Sequence, residues 1–238
     1  RRNLHPPLKD QWNELIGVVN SWQLSEETDG IRCRLGNKGK FSSKSVYSYK
    51  ERNLAGCDFR WIWKAKIPLK IQIFLWQLFQ DAVLTRDVMK RRKWAGNPRC
   101  SFCQNRETSQ HLFFTCPVAR VVWRTVGCVF GTDLCPDNLW QYFSWCYTFL
   151  PDDAKFYTFG LAAICWAMWN CRNRATFEHK KLRTPFVVVF PACGYMNYWA
   201  GLMEGADREA MERGAKMLKT NAATMMRICA APAEAAMD

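Results

Sequence analysis

Apolar residues recur at helical spacing along most of the chain, and this pattern predicts a mainly α-helical protein. The densest run is residues 69–79, where the apolar positions exceed one face of a helix, so we expect a helix that is buried on most sides. Shorter periodic stretches predict further helices over residues 12–22, 86–94, 118–126, 139–150 and about 154–172, and an exposed amphipathic helix over residues 203–230.

Several of these helices carry start signals. Thr85 is a good N-cap for helix 86–94, and Pro117 is suited to the first turn of the helix that follows it. Asp152 or Asp153 is expected to cap the helix from about residue 154.

One region near the N-terminus has a strand-like pattern instead. Residues 31–35 and 40–49 alternate roughly between apolar and polar positions, and Gly36 and Gly39 lie between them. A short β-hairpin is therefore predicted, with a helical turn near Ser45 as the alternative for its second half.

Composition makes a folded core possible and indicates a partner class. The chain has 238 residues, of which 49% are hydrophobic and 14% aromatic, so a packed core is expected. The formal net charge is +13, and residues 32–106 hold 18 Lys/Arg against 4 Asp/Glu. A polyanion is the natural partner of that segment, although a solvated basic face without a partner is the alternative.

Twelve cysteines are many for this length. The first seven residues show no secretory signal, so we expect reduced thiols and a nuclear or cytoplasmic location rather than a disulfide framework. The apolar stretch 159–169 is too short to span a bilayer, and no membrane association is predicted.

Four of the cysteine and histidine residues have metal-ligand spacing. Cys100 and Cys103 are separated by two residues, His111 follows after seven more, and Cys116 after another four. Three thiolates and an imidazole would complete a tetrahedral Zn²⁺ site with no open position, so the site would be structural. The alternative is a coincidence in a cysteine-rich chain, while a redox role lacks the expected βαβ context.

At these residues the chain resembles a known family, the zinc-binding domain (zf-RVT) that follows the reverse transcriptase in plant LINE-type non-LTR retrotransposons. The resemblance runs from about Gly39 to Trp123, and a later stretch around Trp169 and Arg172 is similar to the tail of these elements. It rests on Gly39, Lys40, Phe41, Ser42, Trp61, Trp63, Pro68, Phe74, Trp76, Glu107, Thr108, the four Cys/His residues, Pro117 and Trp123.

The resemblance implies that zinc is bound by Cys100, Cys103, His111 and Cys116, and that the chain handles RNA or DNA. We expect phosphate contacts from the basic residues beside the site, which are Lys90, Arg91, Arg92, Lys93, Arg99 and Arg106. Trp94 or Phe102 is a candidate for stacking on bases, whereas Phe113 and Phe114 are expected in the core.

The sequence thus predicts a small helical zinc-stabilised domain with a short N-terminal β-hairpin, followed by additional helices. The expected organisation is an N-terminal segment (1–30), a zinc-binding domain (31–127), a helical extension (139–190) and a C-terminal amphipathic helical tail (195–238). No catalytic motif is recognisable, so we expect a non-catalytic nucleic-acid-binding module. A domesticated protein–protein interaction module and an inert retroelement relic are the alternatives.

Overall fold

The computed structural model describes residues 6–22, 32–34, 39–45, 59–133 and 135–230. Contacts within the chain divide it into two compact units, Arg1–Cys57 and Asp58–Asp238. The predicted mainly helical fold is confirmed, since almost every described element is a helix.

The first unit contains helix α1, Pro6–Asn20, which corresponds to the amphipathic stretch expected over residues 12–22. The predicted β-hairpin is not supported, because the described residues 32–34 and 39–45 form no strand. Residues 43–45 make a helical turn, which was the alternative for its second half. Ser42 favours that turn because its Oγ accepts a hydrogen bond from the Ser45 N–H at 3.1 Å. The Cys33 N–H still donates to the Gly39 carbonyl at 2.7 Å, and the hairpin's other residues lie outside the described ranges.

The second unit begins with three helices, α2 (Arg60–Lys64), α3 (Leu69–Phe79) and α4 (Arg86–Arg91). Helix α3 has the predicted bounds. The prediction that it is buried on most sides is wrong, because Leu69, Ile73 and Trp76 are exposed. Its buried side includes Gln72, whose amide donates to the Ala65 carbonyl at 2.9 Å, so the polar group is satisfied within the core.

Helix α4 ends three residues before its predicted end. Lys93 adopts a left-handed conformation with φ of 65°, and the Trp94 N–H donates to the Met89 carbonyl at 3.0 Å. This is the Schellman closure of a helix C-terminus. The indole of Trp94 then covers Gly96, where a Cβ atom would lie 2.0 Å from the ring, so only glycine fits.

A π-helical turn, His111–Thr115, leads into α5 (Pro117–Val129), and Pro117 occupies the expected first-turn position. Helix α6 (Leu139–Phe149) follows, and the Asn138 side chain caps it by accepting from the Gln141 N–H at 2.9 Å.

Three long helices complete the unit, α7 (Ala154–Phe177), α8 (Phe186–Ala200) and α9 (Gly205–Ala230). Helix α8 packs against both α7 and α9, and α9 also contacts α5. Helix α9 is amphipathic, as predicted, and it buries Met211, Ala215, Leu218 and Ala222 at three- and four-residue intervals. Among the described helices, none combines the length and the hydropathy that a bilayer-spanning segment requires.

The core is where the early and late helices of the second unit meet. Phe74 of α3 contacts the rings of Phe113 and Trp166 edge-on, at centroid distances of 5.9 and 5.1 Å. Phe114 stacks on Trp123 at 5.7 Å. Phe113 and Phe114 are therefore core residues, as predicted, and they support the segment that contains the Cys/His residues.

Candidate metal centre

Cys100 and Cys103 lie on a tight reversal of the chain. The backbones of Arg99 and Arg106 pair as an antiparallel bridge, and the Cys100 N–H donates to the Asn105 carbonyl at 2.6 Å. Gln104 has a positive φ of 66°, which turns the chain back just after Cys103. We refer to residues 98–107 as the knuckle.

His111 and Cys116 lie at the two ends of the π-helical turn. The Cys116 N–H donates to the His111 carbonyl at 2.7 Å, and the His111 N–H donates to the Thr108 hydroxyl at 3.1 Å. A π-helical turn pairs residues that are five positions apart, here His111 and Cys116, whereas an α-helix pairs residues that are four positions apart. Pro117 then starts α5 directly after Cys116.

The knuckle and the π-helical turn bring all four predicted metal ligands together. The Sγ atoms of Cys100, Cys103 and Cys116 and a ring nitrogen of His111 all lie within 4.8 Å of one another. The Cys103 Sγ is 3.8 Å from the Cys116 Sγ and 3.1 Å from His111 Nε2. Zinc–sulfur bonds of about 2.3 Å give a tetrahedron with sulfur–sulfur edges of about 3.8 Å, so the donor set fits a four-coordinate zinc ion.

Contacts among the sulfur atoms shift their pKa values in opposite directions. A hydrogen bond from Cys116 lowers the pKa of Cys100 to about 4. That same hydrogen bond raises the pKa of Cys116, and burial raises the pKa of Cys103. Thiols in contact share protons in this way, whereas a divalent cation among them favours the thiolate form of all three.

An ion pair that sequence reasoning did not single out joins the last residue of the knuckle to α7. Glu107 and Arg172 are 0% and 1% exposed, and the Arg172 guanidinium donates to Glu107 Oε1 from Nη2 at 2.6 Å and from Nε at 2.9 Å. The same carboxylate oxygen accepts from the Arg86 N–H at the start of α4, at 2.8 Å. Both residues belong to the stretches that carry the family resemblance, and that was the only signal for them.

Arg86 extends this network to the knuckle backbone. Its guanidinium donates to the Arg99 carbonyl at 2.5 Å and to the Ser101 hydroxyl at 2.7 Å. It also contacts Thr176 Oγ1 of α7 at 3.2 Å, and the Ser101 and Thr176 hydroxyls are 3.1 Å apart. The last turn of α7 therefore touches the knuckle beside Cys100.

The six predicted phosphate-binding residues are all exposed. Asp87 brings two of them together, because its carboxylate binds the Arg106 guanidinium at 2.5 Å and lies 3.7 Å from Arg91 Nε. Within the described residues, the other four have no carboxylate partner; these are Lys90, Arg92, Lys93 and Arg99. The two aromatic candidates are half-buried, Trp94 over Gly96 and Phe102 against the core.

Residues 41–123 match the family model zf-RVT, described as zinc-binding in reverse transcriptase. All four residues of the Cys/His cluster lie in this zf-RVT segment, and the resemblance to the zf-RVT domain is thereby confirmed, while the LINE type and the plant origin remain predictions. The zf-RVT segment covers about a third of the chain, and the buried partner Arg172 lies outside it.

The chain is also similar to a protein of Arabidopsis thaliana that is named a putative ribonuclease H protein. The two are 26% identical over 200 residues, which is 78% of this chain and 32% of the relative. The chain thus spans about a third of the length of the curated relative it matches. No solved structure matches the chain.

Proposed function

We propose that this chain is a zinc-binding, non-catalytic module that binds RNA or DNA and that derives from the C-terminal part of a plant LINE-type retrotransposon polyprotein. The observation that carries the proposal is the convergence of Cys100, Cys103, His111 and Cys116 within 4.8 Å, in a segment that matches a zinc-binding family. All four side chains would hold the metal, so no coordination position is left for a substrate, and the role of the site is structural.

Zinc supplies a cross-link between the knuckle and the π-helical turn. The residues of this chain do the rest: Arg86 and Glu107 hold the knuckle against α4 and α7, and this fixes the exposed basic residues around it. Lys90, Arg92 and Lys93 at the end of α4, and Arg99 on the knuckle, then meet phosphate groups. Such contacts orient a nucleic acid without reading its sequence.

Nucleic acid is the partner that the charge distribution favours, because residues 32–106 carry 18 Lys/Arg against 4 Asp/Glu. The relative's printed name, a ribonuclease H protein, agrees with a setting in which RNA or DNA is handled. The site of action is nuclear or cytoplasmic, where thiols remain reduced, and every described cysteine is a free thiol.

Metal analysis combined with a salt-titrated binding assay tests the proposal. The purified chain is expected to hold one zinc ion and to bind single-stranded and duplex oligonucleotides with an affinity that falls steeply with salt. Lys90→Ala with Arg92→Ala should weaken binding for every sequence tested, about tenfold at low salt. The charge-matched control is Lys216→Ala with Lys219→Ala on α9, two exposed residues far along the chain from the knuckle.

Three outcomes contradict the proposal. A chain that is fully folded without bound metal contradicts a structural role for zinc. Binding that is insensitive to salt, with a protein recovered as the specific partner, identifies an interaction module instead. A zinc-containing chain that retains neither nucleic acid nor protein is the result expected of a relic.

A further inference from the structure

A second basic surface lies at the C-terminal end of α7, outside the segment in which the positive charge of the sequence is concentrated. It is a concavity of about 580 Å³. Five basic side chains line it: Arg174, His179, Lys180, Lys181 and Arg183. All five are exposed, so these side chains are available to a partner.

The way α7 ends accounts for the shape of this surface. His179 has a left-handed φ of 56°, and the Lys180 N–H donates back to the Arg174 carbonyl at 3.2 Å. This backbone hydrogen bond folds the chain back over the last turn of the helix. Leu182 is half-buried against the core, while its neighbours Lys181 and Arg183 are exposed, so the loop is anchored at its centre. The surface is therefore defined by the fold.

Few acidic groups neutralise it. In the described part of the chain, the ion pair of this loop is Lys180 with Glu178, at 2.8 Å, and both side chains are largely exposed. Arg174 contacts the Cys171 sulfur at 3.3 Å rather than a carboxylate. The partial negative charge at a helix C-terminus is about half an elementary charge, which the unpaired side chains of Arg174, Lys181 and Arg183 outweigh.

This surface begins on the helix whose last turn touches the knuckle. Thr176, two residues after Arg174, is 3.1 Å from Ser101 through the two hydroxyls, and Ser101 is two residues from the exposed Arg99. Both elements that meet at this contact therefore carry an exposed basic residue two positions away in sequence, Arg174 on α7 and Arg99 on the knuckle. A phosphate backbone carries one negative charge per nucleotide. A strand that binds the knuckle can therefore place its next phosphate groups in the concavity.

We propose that the concavity lined by Arg174, Lys180, Lys181 and Arg183 is a second phosphate-binding site, which contacts the backbone of the same nucleic acid that the knuckle binds. This inference rests on the proposed function, and it extends the nucleic-acid-binding surface to residues outside the zf-RVT segment. We assign the contacts to phosphate rather than to bases because most of the lining side chains are basic.

The test compares the full chain with Lys181→Ala/Arg183→Ala, and with Lys216→Ala/Lys219→Ala as the control that removes the same charge. Affinity for a single-stranded oligonucleotide is measured over a range of salt concentrations. The concavity variant should bind about tenfold more weakly at low salt, and the slope of log affinity against log salt should fall by about 1.5, as expected for two lost phosphate contacts. The charge-conserving variant Lys181→Arg/Arg183→Lys should keep the wild-type slope.

Equal slopes for the concavity variant and the control, together with weaker binding by Lys90→Ala/Arg92→Ala, overturn this inference and leave the proposed function intact. No binding by the wild-type chain overturns both. Binding of polyglutamate in place of nucleic acid also overturns the inference, because the partner would then be an acidic protein. Zinc content and circular dichroism of each variant establish that the fold is retained.

Discussion

The guanidinium of Arg172 places two nitrogen atoms within 2.9 Å of a single carboxylate oxygen of Glu107, and neither side chain is more than 1% exposed. The pair connects the knuckle to α7 across 65 positions of the chain. Arg172 also lies over the Trp169 ring, 4.9 Å from its centroid, so the charge is enclosed on a second side. The fold of the metal centre therefore depends on residues well beyond it in sequence.

Glu107→Gln should strongly destabilise the protein. The substitution leaves the Arg172 guanidinium buried without a counter-charge, and breaking a buried ion pair in this way costs about 3–5 kcal/mol of the free energy of unfolding. Urea unfolding of the zinc-loaded chain measures the effect as a lower midpoint.

Glu178→Gln provides the matched control, because Glu178 pairs with Lys180 on the surface, where both side chains are at least half exposed. Its removal should change the free energy of unfolding by under about 1 kcal/mol. Similar small changes for both variants would show that the buried pair contributes no more than a surface pair.

Arg86→Lys should weaken zinc binding although Arg86 touches no ligand atom. Its guanidinium holds the Arg99 carbonyl and the Ser101 hydroxyl on either side of Cys100, and a lysine ammonium cannot span both groups. Loss of such supporting contacts lowers metal affinity about tenfold. Competition with a chromophoric chelator measures the affinity, and Arg92→Lys, an exposed position at the opposite end of α4, should leave it unchanged.

Local spacing was sufficient to predict the Cys/His cluster, because all four residues lie between positions 100 and 116 and only two turns are needed to bring them together. Helices α3 and α6 were also found within one residue of their bounds, since their apolar residues are dense and continuous. The division of the chain into separate segments remains a prediction; the segments are residues 1–30, 31–127, 139–190 and 195–238.

Contacts between distant residues were beyond the reach of these patterns. No periodicity links Glu107 to Arg172, and the strand-like alternation near Ser45 was overridden by a local hydrogen bond from the Ser45 N–H to the Ser42 side chain. The basic concavity was missed for a different reason. The charge of its loop was averaged with the acidic residues of α9, such as Glu209 and Glu212, so the remainder of the sequence looked neutral.

Zinc affinity should rise with pH. The raised pKa values of Cys103 and Cys116 leave both thiols protonated at neutral pH, whereas the lowered pKa of Cys100 leaves a thiolate. Zinc must therefore displace at least two protons, and its apparent affinity should fall about a hundredfold for each pH unit below neutrality. Zinc titrations across a pH series measure this slope. An affinity independent of pH would exclude ligation by the three sulfurs, and Cys128→Ser, an exposed thiol outside the cluster, should not alter the slope.

Asp87→Asn should strengthen nucleic-acid binding. Asp87 accepts from Arg106 and faces Arg91, so two of the predicted phosphate-binding residues are partly neutralised by one carboxylate. The amide releases the Arg106 guanidinium, whereas Arg91 keeps its second partner, Asp81, at 3.8 Å. We expect the affinity to rise about threefold at low salt with a salt slope steeper by about 1, as for one additional phosphate contact. The cost is a modest loss of stability, about 0.5–1 kcal/mol, because Asp87 lies in the first turn of α4.

Asp207→Asn separates this effect from a simple change in net charge. Asp207 forms an ion pair with Lys155 at the start of α9, and its replacement removes the same negative charge. If binding depends on the basic residues beside the knuckle, only Asp87→Asn should change the salt slope. Equal effects of the two variants would mean that the overall charge of the chain, rather than Arg91 and Arg106, determines affinity.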